Sequence, residues 1–417
     1  FNEEKTINDN VYSMLALEYP LFEVVIVNDG STDSTLKKMI EHYELIEVPY
    51  AYIERIKTKP FRRLFKSTSP KYSRLIVVDK ENGGTKADAS NAGINVSSYP
   101  YFICTDVDCI LEKYALYRCI SPIISSDKQV IAVSGTMLMA NGCVVKDGQI
   151  VDVRTPRTPI PLFQNLEYMR SYLIGKMGWS AINGMPNVSG GFGLFDRSVA
   201  IAAGGYDGTS FAEDMDLITR MVGYMCDFSR PYKIIQIPDT CCWTVYRHRS
   251  RWARGLFQTL SIHHKMIFKK TYKQMGLLTL PYMFVFEFLA PIIELTGLIV
   301  FIYLAFTGAV NWNTAWMIYL TIYTFCQFLS IVVITYDYYV GMLYKRGYEY
   351  LWIIIASILE PIFYHPIITF CSLRGYLSYL TNRDFKWKNM ERKGFKQKEE
   401  SADGTDITAM KPEPATI

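Results

Sequence analysis

Polar and apolar residues divide this chain into two unlike parts. Up to Thr271 charged residues recur throughout, broken by short apolar runs. Between Lys273 and Lys345 there is no Lys or Arg, and the only acids are Glu287, Glu294 and Asp337. Three apolar stretches stand out, at about 276–306, 315–343 and 351–372. A helix crosses a bilayer in ~20 apolar residues, so each stretch is long enough to span one. Loop 307–314 carries no positive charge, while Lys345 and Arg346 occupy the next loop. The positive-inside rule then places the first loop outside and the second inside. A third full span would put the basic tail from Arg374 to Lys398 outside, against that rule. Two alternatives follow: the third stretch is re-entrant, broken by Pro361 and Pro366, or the first is broken at Pro291.

The first part reads as alternating strands and helices. Val24-Val25-Ile26-Val27 ends in Asn28-Asp29-Gly30, the pattern of a buried strand stopping at a turn. The Ser/Thr/Asp run 31–35 suits a helix cap. Leu75-Ile76-Val77-Val78 repeats the pattern, as does Tyr101 to Thr105, which ends at Asp106. Such alternation predicts an α/β domain with a mostly parallel sheet. Ligands bind beyond the carboxyl ends of such strands, so Asp29 and Asp106 are expected to share one crevice. Further on, Val130 to Gly135 reads as a strand, 162–183 as a helix, and Asn187 to Gly193 as a glycine-rich loop. Residues 247–270 mix Arg and Lys with Trp252, Leu256, Phe257 and Ile262, a composition suited to a helix on a membrane surface. The last ~20 residues are polar and read as disordered.

Composition adds little against this pattern. The formal net charge of +4 gives no argument for nucleic acid, and no basic platform is interleaved with aromatics. The nine cysteines have neither zinc spacing nor a Cys-x-x-Cys pair, so they read as buried thiols of a reducing compartment. Residues 55–74 carry eight basic residues and no acid, a solvated loop or a contact for anionic headgroups.

The candidate chemistry lies in five places. Asp106-Val107-Asp108 at a strand end can hold a hard divalent cation and leave positions for phosphate oxygens. Asp29 at the earlier strand end can accept hydrogen bonds from a base or ribose, although turn aspartates are common. In Gly83 to Asn91 the glycines allow close backbone approach, and Lys86 can meet a phosphate. Glu213, Asp214 and Asp216 include a candidate general base, or are acids favoured at a helix N-terminus. His248-Arg249-Ser250-Arg251-Trp252 offers a diphosphate clamp and an indole face for a sugar, or arginines snorkelling to a membrane surface.

The order of these motifs resembles family 2 glycosyltransferases, in particular the membrane-bound branch of cellulose, hyaluronan, chitin and poly-N-acetylglucosamine synthases. The matching residues are Phe1 to Glu4, Val27 to Asp33, Asn82 to Asn91, Asp106 to Asp108, Ser189 to Gly193, Gly204 to Tyr206, Glu213-Asp214 and Arg251-Trp252. The resemblance implies a GT-A fold and an inverting single displacement with Mg²⁺ or Mn²⁺. It implies that Asp29, Lys86, Asp88, Asp106 and Arg251 bind the nucleotide-sugar, and that Asp106 and Asp108 hold the metal. Asp214 would be the general base, with Glu213 beside it. Trp252, His248, Gly191 and Phe192 would face the acceptor, with Gln164 to Tyr168 on the same side. His248 stands where the family has glutamine, and the link from Asp239 to His248 is short. Both leave processivity open. The opening residues resemble those that follow a first strand, so that strand, and a membrane helix before it, are expected upstream of Phe1.

The expected organisation is a cytoplasmic catalytic domain over 1–245, an amphipathic interface region over 246–275, two to four spans within 276–380, and a basic then disordered tail over 381–417. The expected activity is polymerisation of UDP-GlcNAc or UDP-Glc into a β-linked polysaccharide by a multi-pass plasma-membrane protein, with a glycan or lipid-linked acceptor. The alternatives are a non-processive transferase acting on a lipid carrier and an inactive membrane scaffold. Glu287, Glu294 and Glu360 either line a path for a growing glycan or bond neighbouring helices.

Overall fold

The computed structural model describes residues 1–381 except Tyr50, Val107, Asp108, Asp147 and residues 245–249. The first layer begins with α1 (Ile7–Leu15), β1 (Val24–Asp29), α2 (Thr35–His42), β2 (Leu45–Glu47), β3 (Phe61–Ser67), β4 (Leu75–Lys80) and α3 (Lys86–Val96). Its four strands lie in the order β1-β4-β3-β2, with β1 parallel to β4 and the other pairs antiparallel. All six residues of β4 are buried, as expected of a strand flanked by neighbours and covered on both faces. The basic stretch at 55–74 is therefore partly a strand, β3, with Arg63 paired to Asp79 at 2.9 Å.

The chain continues through β5 (Tyr101–Thr105), β6 (Ile110–Leu111), α4 (Ala115–Ile124), β7 (Gln129–Met139), β8 (Val144–Lys146) and β9 (Gln149–Asp152). Next come α5 (Pro159–Arg170), a π-helical segment Ser171–Lys176, α6 (Met177–Ala181), β10 (Phe192–Asp196), α7 (Arg197–Ala202), α8 (Glu213–Asp227) and β11 (Tyr232–Thr244). Five of these strands form a second mixed sheet, β5-β10-β7-β11-β6, in which only β7 and β11 pair in parallel, while β8 and β9 form a separate antiparallel pair.

After the sheets come α9 (Ser250–Ile262), a π-helical Met275–Thr279, α10 (Leu280–Tyr282), a π-helical Met283–Phe288, α11 (Ala290–Phe306), α12 (Trp312–Tyr336) and α13 (Gly347–Leu380). Among the described residues three helical stretches are long and apolar enough to cross a membrane: Met275–Phe306, Trp312–Gly341 and Gly347–Leu380. The third does not break at Pro361 or Pro366, since α13 runs through both. In the first stretch a π-helical segment passes into α11 at Leu289, with Pro291 in the opening turn of α11.

The helix expected across 247–270 is shorter and more enclosed. α9 ends at Ile262 and buries Ala253, Arg254, Gly255, Leu256, Thr259 and Leu260. A Cβ on Gly375 of α13 would stand 2.5 Å from the Ser250 carbonyl oxygen, so glycine lets the two helices meet backbone to backbone. The apolar face of α9 is thus committed to protein.

One hydrophobic core joins the second sheet to the apolar helices: Val133, Met137, Leu166 and Phe192 continue into Val333, Ile353 and Tyr364. Polar contacts reinforce this joint. Arg170 at the end of α5 pairs with Glu360 at 2.9 Å and donates to Ser330 at 3.1 Å. Asn165 donates to Tyr344 at 2.8 Å, and Arg157 donates to the buried Glu349 at 3.0 Å. Glu294 accepts from Thr369 at 2.6 Å, beside His365 at 3.1 Å. Glu294 and Glu360 therefore bond neighbouring helices, the second of the two roles expected of them.

Candidate active site

The site begins where β1 and β4 end side by side. Gly30 has φ +65°, and a Cβ there would stand 2.8 Å from the Asn82 nitrogen, so only glycine allows this approach. Asn82 Nδ2 donates to the Asp29 carbonyl at 2.8 Å. Lys80, buried at the end of β4, donates to Asp29 Oδ1 at 2.8 Å and also to Asp88. The Gly83 N–H donates to the same Asp29 oxygen at 3.0 Å. Asp29 and Asp88 are thus fixed by one lysine.

A second cluster forms where β5 ends. Thr85 caps α3 by accepting from the Asp88 N–H, which sets Lys86 in the first turn. Lys86 Nζ lies 2.6 Å from Asp106 Oδ1 and 3.6 Å from Glu213 Oε1, and it donates to the Gly190 carbonyl at 3.0 Å. The Gly190 N–H in turn donates to Asp214 Oδ2 at 3.0 Å. Thr105 Oγ1 donates to the Gly191 carbonyl at 2.9 Å, tying the glycine loop to the strand end. Residues 86, 106, 190, 213 and 214, far apart in sequence, therefore meet around one ammonium. The turn from Lys80 to Asp88 links this cluster to Asp29.

The charges are strongly interdependent. Burial disfavours the Lys86 ammonium, but Asp106, Cys104 and Glu213 outweigh it and hold the group well above the usual lysine range. Burial pushes the Glu213 carboxyl up, with Lys86 opposing and Asp106 and Asp214 reinforcing; Arg251 also lies near enough to oppose. Asp216, the third acid of its cluster, belongs elsewhere. It is 1% exposed, pairs with Arg220 at 2.7 Å and meets His263 Nε2 at 2.7 Å. Burial alone would raise its carboxyl, but those two partners bring it below the ordinary range.

The other side of the site is helical. Trp252 on α9 stacks on Tyr168 of α5 with ring centroids 6.4 Å apart, and Tyr168 meets Tyr172 edge to face at 5.8 Å. Phe192, expected to face an acceptor, does not: it opens β10, and its ring is fully buried in the core. A Cβ on the adjacent Gly191 would stand 2.7 Å from the Met137 methyl carbon, so this part of the loop contributes backbone. His248 and Asp108 lie outside the described residues.

Two lysines were not singled out in the sequence. Lys80 had a signal: it closes the run Leu75-Ile76-Val77-Val78-Asp79-Lys80 at a strand end, where Asp29 was noticed. Lys176 had none, because its position follows from the π-helical turn.

Part of the chain that builds this site is similar to known proteins. Residues 1–140 fit the family model described as glycosyl transferase family 2. Over that stretch the chain is similar to family 2 glycosyl transferases. Poly-beta-1,6-N-acetyl-D-glucosamine synthase of Staphylococcus aureus (strain COL) is 28% identical over 270 residues, covering 62% of this chain and 53% of that protein. The protein so named in Staphylococcus epidermidis is 26% identical over 268 residues, with the same coverage. The chain spans about half the length of the curated relatives it matches. Among solved structures, a mannosyltransferase from Pyrobaculum calidifontis in complex with GDP-Man and Mn²⁺ aligns with TM-score 0.51 at 16% identity, over 92% of this chain and 86% of that one. That likeness concerns the fold, which is GT-A.

Of the two acids expected to hold a metal, the described one is Asp106. Asp106 presents a hard carboxylate oxygen at a strand end, next to a position already filled by positive charge from Lys86. Among the described residues no group of three or more His, Cys, Asp or Glu gathers as a metal cluster.

Proposed function

We propose that the chain transfers a sugar from a nucleotide-sugar, UDP-GlcNAc or UDP-Glc, to the end of a growing β-linked polysaccharide at a membrane. The observation that carries this is the convergence of Asp106, Glu213 and the Asp214-bound Gly190 loop on Lys86. The names of the staphylococcal relatives and the three apolar helical stretches support it.

In this reading Asp29, Lys86, Asp88 and Arg251 bind the nucleotide-sugar, and Lys80 fixes the first and third of them. Asp106 and Asp108 hold Mg²⁺ or Mn²⁺, which when bound neutralises the diphosphate as it departs. Asp214 takes the proton from the acceptor hydroxyl. The freed oxygen attacks the anomeric carbon, the bond to the diphosphate breaks on the opposite face, and nucleoside diphosphate leaves with inversion. Glu213 keeps Lys86 in place, and Trp252, His248 and the Gly191 backbone border the acceptor. Phe192 supports that border from the core. The same proposal divides the chain into a cytoplasmic catalytic domain over 1–245, a connecting region over 246–275, plasma-membrane spans within 276–380 and a tail over 381–417.

The test is incubation of the full chain in nanodiscs with each UDP-sugar and Mg²⁺ or Mn²⁺, followed by product sizing. A polymer that disappears in Asp214→Asn supports the reading. Single-sugar products would reject polymerisation, and no transfer from any donor would reject the activity.

A further inference from the structure

Four residues of the acceptor-side helix follow one another at four-residue steps: Gln164, Tyr168, Tyr172 and Lys176. At 3.6 residues per turn, such steps drift around an α-helix. The π-helical segment Ser171–Lys176 holds more residues per turn and turns the drift back, so the four form one stripe. Its middle is aromatic: Tyr168 lies against Trp252, and the Tyr172 phenol lies beside Ser189 and near Asp214.

Both ends of the stripe carry polar groups with no hydrogen-bond partner among the described residues. Gln164 is fully buried, and among the described residues neither its amide oxygen nor its nitrogen has a hydrogen-bond partner. Lys176 is 7% exposed, and its ammonium lies 4.5 Å from the centroid of the Tyr172 ring. No ion pair or hydrogen bond engages that ammonium among the described residues. Buried polar groups in native proteins are almost always satisfied, and those that are not call for an explanation. The nearest charges are Asp214 and Glu287, neither close enough to pair. Glu287 belongs to the first apolar stretch, which meets the Lys176 segment through Trp179 and Tyr282, 5.1 Å apart, and through Thr279 donating to the Gly184 carbonyl at 2.6 Å.

Resting on the function proposed above, we infer that Lys176 is an acceptor-binding residue, whose ammonium donates to an oxygen of the terminal acceptor sugar and turns its hydroxyl toward Asp214. The chemistry fits a saccharide: a cation and an amide flank aromatic faces, giving donors for hydroxyl or acetamido oxygens and apolar surface for the ring. It does not fit the donor diphosphate, because the cation on that side, Lys86, has Asp106 and Glu213 as its charged neighbours, and Lys176 has neither. Burial pulls the Lys176 pKa down to about 8, with Asp214 and Glu287 opposing, as expected of an ammonium without a counter-ion.

The test compares the full chain in nanodiscs with Lys176→Met and Lys176→Arg, using UDP-GlcNAc and a β-1,6-linked N-acetylglucosamine pentamer. Transfer to the pentamer and UDP release to water are followed separately, together with the thermal midpoint. The expected result for Lys176→Met is a KM for the pentamer raised at least tenfold, with donor KM and UDP release to water within twofold and an unchanged or higher midpoint. Lys176→Arg should restore most of the pentamer affinity. An unchanged pentamer KM, or a parallel fall in transfer, hydrolysis and midpoint, would overturn the inference while wild-type transfer keeps the functional reading. A wild type that transfers nothing would sink both.

Discussion

The loop after β4 and the stripe ending at Lys176 both bury lysines beside carboxylates, yet they treat them oppositely. Lys80 pairs with Asp29 and Asp88, and Lys86 pairs with Asp106 and Glu213. Among the described residues Lys176 has no such partner, and Gln164 at the other end of its stripe has none either. A buried ion pair holds its members in fixed geometry before any ligand arrives, whereas an unpaired buried donor gains only when a ligand supplies the acceptor. The first region is built as a scaffold and the second as a set of donors that a ligand can engage.

The largest expected effect tests which acid belongs to the site. Asp214→Asn should lower transfer by roughly 10²- to 10⁴-fold, the range of a lost general base, with little change in unfolding. Asp216→Asn should do the reverse, since Asp216 is committed to Arg220 and His263. Equal losses of transfer in the two variants would erase the distinction.

Next is Lys80→Met, which leaves Asp29 and Asp88 without their shared cation. Removing one partner of a buried pair costs about 3–5 kcal/mol, so denaturant unfolding should show a loss of this order and the donor KM should rise. Lys176→Met should show no such loss, which is the contrast between the two regions in one measurement.

A smaller effect concerns pH. Lys176 is charged below its pKa of about 8 and neutral above it. The acceptor KM should therefore be flat below pH 8 and climb above it, and Lys176→Arg should remove the climb. Titration of Asp214, Glu287 and Tyr172, which face the same ammonium, would persist in Lys176→Arg and so be distinguished.

Acid should act through Asp216 with the opposite sign. Its folded pKa lies below the ordinary value, so its contribution is complete above the unfolded carboxylate pKa and is lost as pH falls through the lowered one. Thermal midpoints between pH 5 and pH 2 should fall more steeply in wild type than in Asp216→Asn. At the bottom of the scale, Lys37→Ala breaks the exposed pair with Glu41 and should leave the midpoint unchanged.

Much of this was legible from periodicity and strand ends. The runs at Val24, Leu75 and Tyr101 became β1, β4 and β5, and the apolar stretches became helices close to their expected bounds. Less legible was how the prolines sit within the apolar helices. Pro361 and Pro366 lie within a continuous α13, while Pro291 sits where an N–H has no intrahelical partner to lose. Phe192 shows the same limit in the site: a motif fixed its place in the loop, but the pleat of β10 turned its ring into the core.

The sequence by itself determined the alternation of strands and helices, the apolar helices and the acids at strand ends, because those depend on neighbours a few residues apart. Only the tertiary structure decided which lysines are paired, which of three adjacent acids faces the glycine loop, and which helical stripe keeps its donors unspent. These are properties of charges and amides brought together from distant parts of the chain into a dry interior, where one partner more or less changes the energy by several kcal/mol.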